Sequence, residues 1–269
     1  MLLGLHGGPG ASHDYLAPFF DLAVEGYRVV LFDQLGCGRS ELPEDPACFT
    51  LEHNVTEVEA VREALGLGSV HLIGSSYGGM LALAYAIRHG EQLRSLITVG
   101  GLADVPFAQA EMRRLIGRLP AGPRELLRRG EDSGRFDEPN YLAAVDLFYH
   151  RHLCRLARWP AELIRSLEYS ARRPVYRIMN GPNEFTINGR IREIDLTPGL
   201  PSIAVPTLVL GGRFDEVTPR VAAQIARSIP GARRFTFARS SHLPFWEERA
   251  RFRSVAGAFL REVGAPRPE

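Results

Sequence analysis

Gly74-Ser75-Ser76-Tyr77-Gly78 lies between the β-rich run Val70 to Ile73 and the helical run Met80 to Ile87, and that setting decides the fold. A G-x-S-x-G match at a strand-to-helix turn predicts a nucleophile held out at the carboxyl end of a parallel sheet. Its backbone is strained, and small residues at Gly74 and Gly78 let neighbouring backbone approach. The turn also sets a helix N-terminus, with free N–H groups and partial positive charge, beneath a reacting carbonyl. Taken alone, the motif also fits a Gly/Ser turn that only caps a helix.

Outward from this turn, short runs rich in Val, Ile and Leu alternate with helical spacing. Leu2 to His6, Tyr27 to Asp33, Val70 to Ser75 and Leu93 to Gly100 read as strands, with helices at Tyr15 to Ala23, Glu52 to Leu65 and Tyr77 to His89. Thr207 to Gly211 and Arg234 to Phe237 read as further strands, Pro219 to Ile229 and Pro244 to Val263 as helices. The expected fold is α/β, a mostly parallel sheet with helices on both faces. From Leu102 to Ile203 apolar residues recur at helical spacing, arginines cluster and no long strand run appears. Residues 102–203 are therefore expected to be a helical insertion into a core formed by 1–101 and 204–269, with a frayed tail from Gly264 to Glu269.

The partners of such a serine must follow in the order Ser, acid, His, and they do. Asp215 ends Gly211-Gly212-Arg213-Phe214-Asp215 after the run Thr207 to Leu210, and His242 lies in Ser240-Ser241-His242-Leu243-Pro244 after a run ending at Phe237. Both fall on loops at strand C-termini, the edge where open parallel sheets bind ligands. His242 is expected to act as general base and then acid for Ser76, with Asp215 fixing the imidazole tautomer. The oxyanion hole is expected from the backbone N–H of Tyr77 and that of Gly8 in His6-Gly7-Gly8-Pro9-Gly10. Pro9 has no N–H and stiffens that loop, and His6 reads as a hydrogen-bonding scaffold, not a second base. With an unperturbed imidazole pKa of about 6.5, activity is expected to fall in acid near that value.

Composition narrows the chemistry by exclusion. All 32 basic residues are Arg, which rules out a Walker A phosphate loop, a pyridoxal or aldolase Schiff base and a Ser-Lys dyad. Against 31 Asp and Glu they leave a net charge of +1, which gives no field to draw nucleic acid or an anionic membrane as a partner. Cys37, Cys48 and Cys154 are odd in number, far apart and without a CxxC, so a reducing cytoplasm fits better than a disulfide framework. Met1 to Leu5 lacks a basic flank and is cut short by Gly7 to Gly10, unlike a signal peptide. No apolar run approaches the roughly 20 residues of a membrane span. Asp33-Gln-Leu-Gly-Cys-Gly-Arg-Ser40 continues with Glu41 where a dinucleotide fingerprint needs a third glycine. His150 and His152 diverge on a helix, so no metal site is expected, nor any cofactor. Cys37 reads as a small packed thiol.

Together, His6-Gly-Gly-Pro-Gly10, Asp33-Gln-Leu-Gly-Cys-Gly-Arg-Ser40, Gly74-Ser-Ser-Tyr-Gly-Gly79 and Gly211-Gly-Arg-Phe-Asp-Glu216 resemble the proline iminopeptidase family of α/β-hydrolases, over Leu2 to about Phe259. Met179-Asn-Gly-Pro-Asn-Glu-Phe-Thr-Ile187 is similar to the cap of its tricorn-interacting aminopeptidase branch. The resemblance implies an α/β-hydrolase fold with a helical cap over the serine, and a peptidase that removes an N-terminal residue, often proline. It also implies two glutamates that hold the substrate's α-ammonium, at positions matched here by Glu184 and Glu216. Carboxylates in a partly dry pocket suit that task, since charge-assisted hydrogen bonds contribute about 1.5–3 kcal/mol each. An internal peptide bond offers them no cation. The family usually begins with an antiparallel β-hairpin ahead of the H-G-G-P-G strand, whereas this sequence opens in that strand. The run Tyr27 to Asp33 would then lie at a sheet edge, where pairing with another chain is a hazard.

The expected function is a serine aminopeptidase that releases proline or another small or apolar N-terminal residue from short peptides or aminoacyl amides. The same scaffold also serves small-molecule esterases, lactonases and amidases. A non-catalytic binding protein that keeps the pocket is the more distant alternative.

Overall fold

In the computed structural model, which describes residues 1–264, six strands form one sheet. They are β1 (Leu2–Leu5), β2 (Val29–Leu31), β3 (Val70–Ser75), β4 (Leu93–Val99), β5 (Thr207–Gly212) and β6 (Arg233–Phe237), in the order β2-β1-β3-β4-β5-β6. Every pairing is parallel. β1, β3 and β5 bury all their side chains and β4 all but Arg94. Strands covered on both faces have this uninterrupted apolar character.

The helices in chain order are α1 (Leu51–Ala64), α2 (Tyr77–His89), α3 (Val105–Ile116), α4 (Ala121–Ser133), α5 (Pro139–His152), α6 (Ala161–Arg172), α7 (Pro174–Met179), α8 (Pro219–Ser228), α9 (Pro244–Glu247) and α10 (Arg249–Gly264). Successive strand residues point to opposite faces, and they divide between two cores. Leu3, Leu5, Val70, Leu72, Leu96 and Val209 pack with α1, α2 and α8. Leu2, Ile73, Ile97, Val99, Leu208 and Leu210 pack with a 3-10 segment, His13–Glu25, and α10. No helix among the described residues is long and apolar enough to cross a membrane.

This order positions the site. From β1 the chain runs outward to β2 and then returns to β3 on the other side of β1, so the loops after β1 and β3 open a crevice at the strand C-termini. Gly8 follows β1, Ser76 follows β3, Asp215 follows β5 and His242 follows β6. Between β4 and β5 lie α3 to α7 and no strand. The two ends of that helical segment are pinned together by the Val105 N–H donating to the Ile194 carbonyl at 2.9 Å and the Leu196 N–H to that of Ala103 at 2.7 Å.

Three elements depart from the sequence reading, each for a local reason. The first helical segment winds as 3-10 turns, with Pro18, which has no N–H to donate, inside it. β2 is only three residues long because Asp33, expected to end it, turns away: its carboxylate accepts the His13 and Arg39 N–H groups at 2.7 and 2.9 Å. A short edge strand also limits pairing with another chain. The helix expected over Pro244 to Val263 breaks at Glu248, whose carboxylate accepts the Arg239 N–H and the Ser240 hydroxyl, while Glu247 accepts the Ser241 N–H and hydroxyl. The break turns both glutamates onto the loop that carries His242. Residues 265–269 of the expected tail lie outside the described residues.

Phe252 joins the second core, with ring centroids 5.7 Å from both Phe19 and Phe245. Phe252→Ala is expected to lower unfolding stability by about 3–5 kcal/mol, measured as a lower denaturant midpoint at unchanged m-value.

Candidate active site

Ser76 has φ 58° and ψ −125° and is the only described non-glycine residue with positive φ. A backbone of this kind costs of order 1–3 kcal/mol and persists only where its surroundings enforce it. Its N–H donates to the Val99 carbonyl at 2.9 Å, and its carbonyl accepts the Gly79 and Met80 N–H groups opening α2. A Cβ on Gly78 would lie 2.3 Å from the Leu5 carbonyl oxygen, and one on Gly74 would meet the Gly78 carbonyl. The turn therefore closes only with glycine at both positions.

Asp215 and His242, 27 residues apart, meet through a 2.7 Å hydrogen bond between Asp215 Oδ1 and His242 Nδ1. The carboxylate acceptor fixes the proton on Nδ1 and leaves Nε2 free to exchange one. Asp215 is held in turn by the Val217 N–H at 2.8 Å on Oδ1 and the Gly212 N–H at 3.4 Å on Oδ2. Both side chains are buried. His242 Nε2 is buried without a hydrogen-bond partner among the described residues. It faces the same cavity as Ser76, and the Ser76–His242 link is open. In free enzymes such links are often long and tighten with substrate.

That cavity, about 220 Å³, is walled by Tyr149 of α5, Leu163, Leu167 and Ala171 of α6, Tyr176 of α7 and Glu184. The helical segment between β4 and β5 thus covers the serine. Tyr176 donates its hydroxyl to Glu184 Oε1 at 2.8 Å, and Tyr149 accepts the Glu184 N–H at 3.3 Å. Glu216 is buried beside the imidazole, with Oε1 at 3.9 Å from His242 Nε2 and Oε2 without a partner among the described residues. Both glutamates thus converge on the histidine.

The electrostatics follow from this crowding. Burial raises the pKa of Glu184, the Tyr176 hydrogen bond working the other way. Burial raises Glu216 well above the carboxylate range, and neighbouring Glu184 and Asp215 push in the same direction. For His242 burial opposes the charged form, but Asp215, Glu216 and Glu184 together outweigh it and hold the pKa up at about 10. The ordinary value of about 6.5 expected from the sequence is thereby corrected. The carboxyl cluster and the imidazole therefore share protons, and the carboxyl groups favour the charged form of His242.

Gly8 and Tyr77, the two expected oxyanion donors, flank this centre. Their N–H groups have no hydrogen-bond acceptor among the described residues, as an oxyanion site requires. The Gly8 loop is shaped by Tyr15, whose hydroxyl accepts the Gly7 N–H at 2.8 Å, and by His6. The His6 Nε2 accepts the Gln34 N–H at 3.0 Å and its Nδ1 bonds the Gly7 carbonyl at 2.9 Å. Burial lowers the His6 pKa to about 4, so this ring is a neutral scaffold. Cys37 is packed in the core, and burial pushes its thiol up. His150 and His152 part as expected, one stacking on Trp159 and the other bonding the Phe214 carbonyl.

Sequence reading missed Tyr15, which turns back onto Gly7, and Tyr149 and Tyr176, whose partner Glu184 lies on the expected cap. It also missed Gly100, which follows β4 with φ 57°. A Cβ there would lie 2.6 Å from His242 Cε1 and 2.7 Å from Nδ1. The pair Gly100-Gly101 directly after an apolar run was the available signal.

A family profile described as alpha/beta hydrolase fold matches residues 1–249. The proline iminopeptidase of Thermoplasma volcanium is 48% identical over 262 residues, 97% of this chain and 88% of that protein. That of Saccharolobus solfataricus is 46% identical over 263 residues, 97% of this chain and 85% of that protein. The crystal structure of a proline iminopeptidase from Mycobacterium smegmatis matches with a TM-score of 0.92 at 38% identity, covering 97% of this chain and 89% of its own.

Gly100→Ala forces the imidazole away from Asp215 and is expected to lower kcat/KM by about 100-fold, the scale of a displacement of about 1 Å. Steady-state kinetics on a protein shown to be folded by circular dichroism checks it; a loss below about threefold would show that the ring is not held so closely.

Proposed function

We propose the reaction course of this chain, which belongs to the proline iminopeptidase family of α/β-hydrolases and is a serine aminopeptidase, from the groups around Ser76. The substrate is a peptide. Ser76 Oγ attacks the carbonyl carbon of its first residue while the Ser76 proton passes to His242 Nε2. The N–H groups of Gly8 and Tyr77 take up the developing oxyanion charge. The imidazolium then protonates the leaving amine, and water hydrolyses the acyl-enzyme through the same groups.

Glu184 and Glu216 hold the substrate's α-ammonium. The observation that carries this reading is the pair of buried atoms without partners among the described residues, Glu216 Oε2 and His242 Nε2, on neighbouring side chains 3.9 Å apart, with His242 and Glu184 lining the cavity over Ser76. Buried polar atoms are nearly always satisfied, and an ammonium satisfies the first as the serine hydroxyl satisfies the second. The ammonium also does electrostatic work. By supplying the cation that the carboxyl cluster otherwise takes from the imidazolium, it lowers the His242 pKa and releases the base. An ester or lactone brings no such cation, which favours a peptidase over the esterase alternative. Leu153, Leu163, Leu167 and Ala171 give the cavity an apolar wall, suited to proline or another small apolar first residue of a short peptide. Residues 102–203 act as the cap of a core formed by 1–101 and 204–269. Action in a reducing cytoplasm is part of the proposal and is supported by the three free cysteines.

Ser76→Ala is expected to abolish turnover of a prolyl or alanyl arylamide and labelling by a phosphonate; retained turnover would exclude Ser76 as nucleophile. N-acetylation of the arylamide removes the cation and is expected to abolish cleavage, so equal rates for both forms would sink the amino-group anchor. Glu216→Gln is expected to lower kcat/KM by about 10- to 100-fold, the equivalent of one charge-assisted bond. It is also expected to shift the acid limb of the kcat/KM profile. The profile of kcat/KM reports the free enzyme and that of kcat the complex. Since Glu216 raises His242, whose base form is the active one, removing the charge moves that limb to lower pH; an unchanged or higher limb would contradict the coupling.

A further inference from the structure

We infer that His152, at the C-terminal end of α5 and outside the catalytic groups, is a positioning residue that sets the Asp215–His242 pair by gripping the peptide on both sides of the acid. The inference rests on the reading of Asp215 and His242 given above. The His152 ring places Nδ1 at 2.7 Å from the carbonyl oxygen of Phe214, the residue before Asp215. Its own carbonyl accepts the N–H of Glu216, the residue after Asp215, at 3.2 Å, and the N–H of His242, also at 3.2 Å. One residue thus bonds the chain before the acid, the chain after it and the backbone of the base.

The surroundings fix this clamp. The imidazole packs against Phe148, with ring centroids 4.9 Å apart, and the Arg155 guanidinium lies 3.8 Å over the Phe214 ring. The clamp continues into Arg155, whose N–H donates at 2.7 Å to Glu247, and Glu247 also accepts the Ser241 N–H at 2.7 Å. The end of α5 is therefore tied to both catalytic loops, so the cap cannot slide at this point without moving the triad. A carbonyl acceptor requires the proton on Nδ1 of His152, which fixes its tautomer. The ring is half-buried, and burial lowers its pKa, which favours the neutral form.

The role separates donor from packing, so three variants test it. His152→Asn can present an N–H close to the Nδ1 position; His152→Phe keeps the ring against Phe148 but has no donor; His152→Ala has neither. The expected result is kcat within about threefold of wild type for Asn and lower by about 10- to 100-fold for Phe and Ala, since small displacements of catalytic groups cost rate on that scale. The downfield proton resonance of the His242 Nδ1–H bond to Asp215 is expected to persist in Asn and to shift or vanish in Phe. A fully active Phe variant, or an Asn variant as impaired as Ala, overturns the inference. If a variant does not fold, the wild-type protein still decides: its imidazole nitrogen shifts must show His152 protonated at Nδ1, and protonation at Nε2 overturns the clamp. Failure of the Ser76 reading is separate, because it would appear as turnover by Ser76→Ala whatever the His152 variants do.

Discussion

Three carboxyl groups around one imidazole, two of them buried and the third half-buried, are the constraint on which the rest of the structure depends. Asp215 and Glu216 are buried with His242, and Glu184 lies half-buried at the cavity over them; burying charge without a partner is among the most costly arrangements in a protein. The fold meets that cost locally. The strand order brings the loops after β1, β3, β5 and β6 to one edge, Gly100 leaves room for the imidazole ring, and backbone N–H groups hold Asp215. What the fold leaves unbalanced is a deficit of positive charge beside Glu216. The proposed reaction fills that deficit with the substrate's amino terminus, so recognition and activation of the base become one electrostatic event.

The distribution of arginine fits this account. On the helical segment, Arg128 pairs with Glu125 and Asp132, Arg129 with Glu125 and Arg172 with Glu168. These are exposed i,i+3 and i,i+4 pairs of the kind that adds little stability. Glu216 and Glu184, by contrast, have no arginine partner among the described residues; the one takes no hydrogen bond on Oε2, the other takes one from Tyr176. A near-neutral chain without lysine thus leaves Glu216 and Glu184 at the site without a basic side chain other than His242 beside them among the described residues. The pocket stays open to one cation, an amine that arrives with the substrate.

Much of this was legible in the sequence, for identifiable reasons. Ser76 could be placed because a strand and a helix flank it within a few residues, and Asp215 and His242 because each follows a short apolar strand. Glu184 and Glu216 came only from family resemblance, since nothing in their local sequence says that they meet. Gly100, Tyr15 and His152 were not legible as site residues. Their importance lies in contacts that only the folded chain makes: the Tyr15 hydroxyl turning back onto the Gly7 N–H, and, far along the chain, the Gly100 backbone against the His242 ring and His152 against the loop of Asp215. The pKa of His242 was misjudged for the same reason. An unperturbed value assumes a solvated ring, and only the assembled fold reveals the carboxylates around it.

The central claim is that the substrate's ammonium takes over from the His242 proton as the counter-charge of the buried carboxyl cluster. Nitrogen NMR of the His242 imidazole in the Ser76→Ala protein, titrated with pH in the absence and presence of saturating prolinamide, tests it most directly. The account predicts a raised His242 pKa in the free protein, near 10, that falls when the cationic ligand binds. An unchanged or higher His242 pKa in the complex would contradict it.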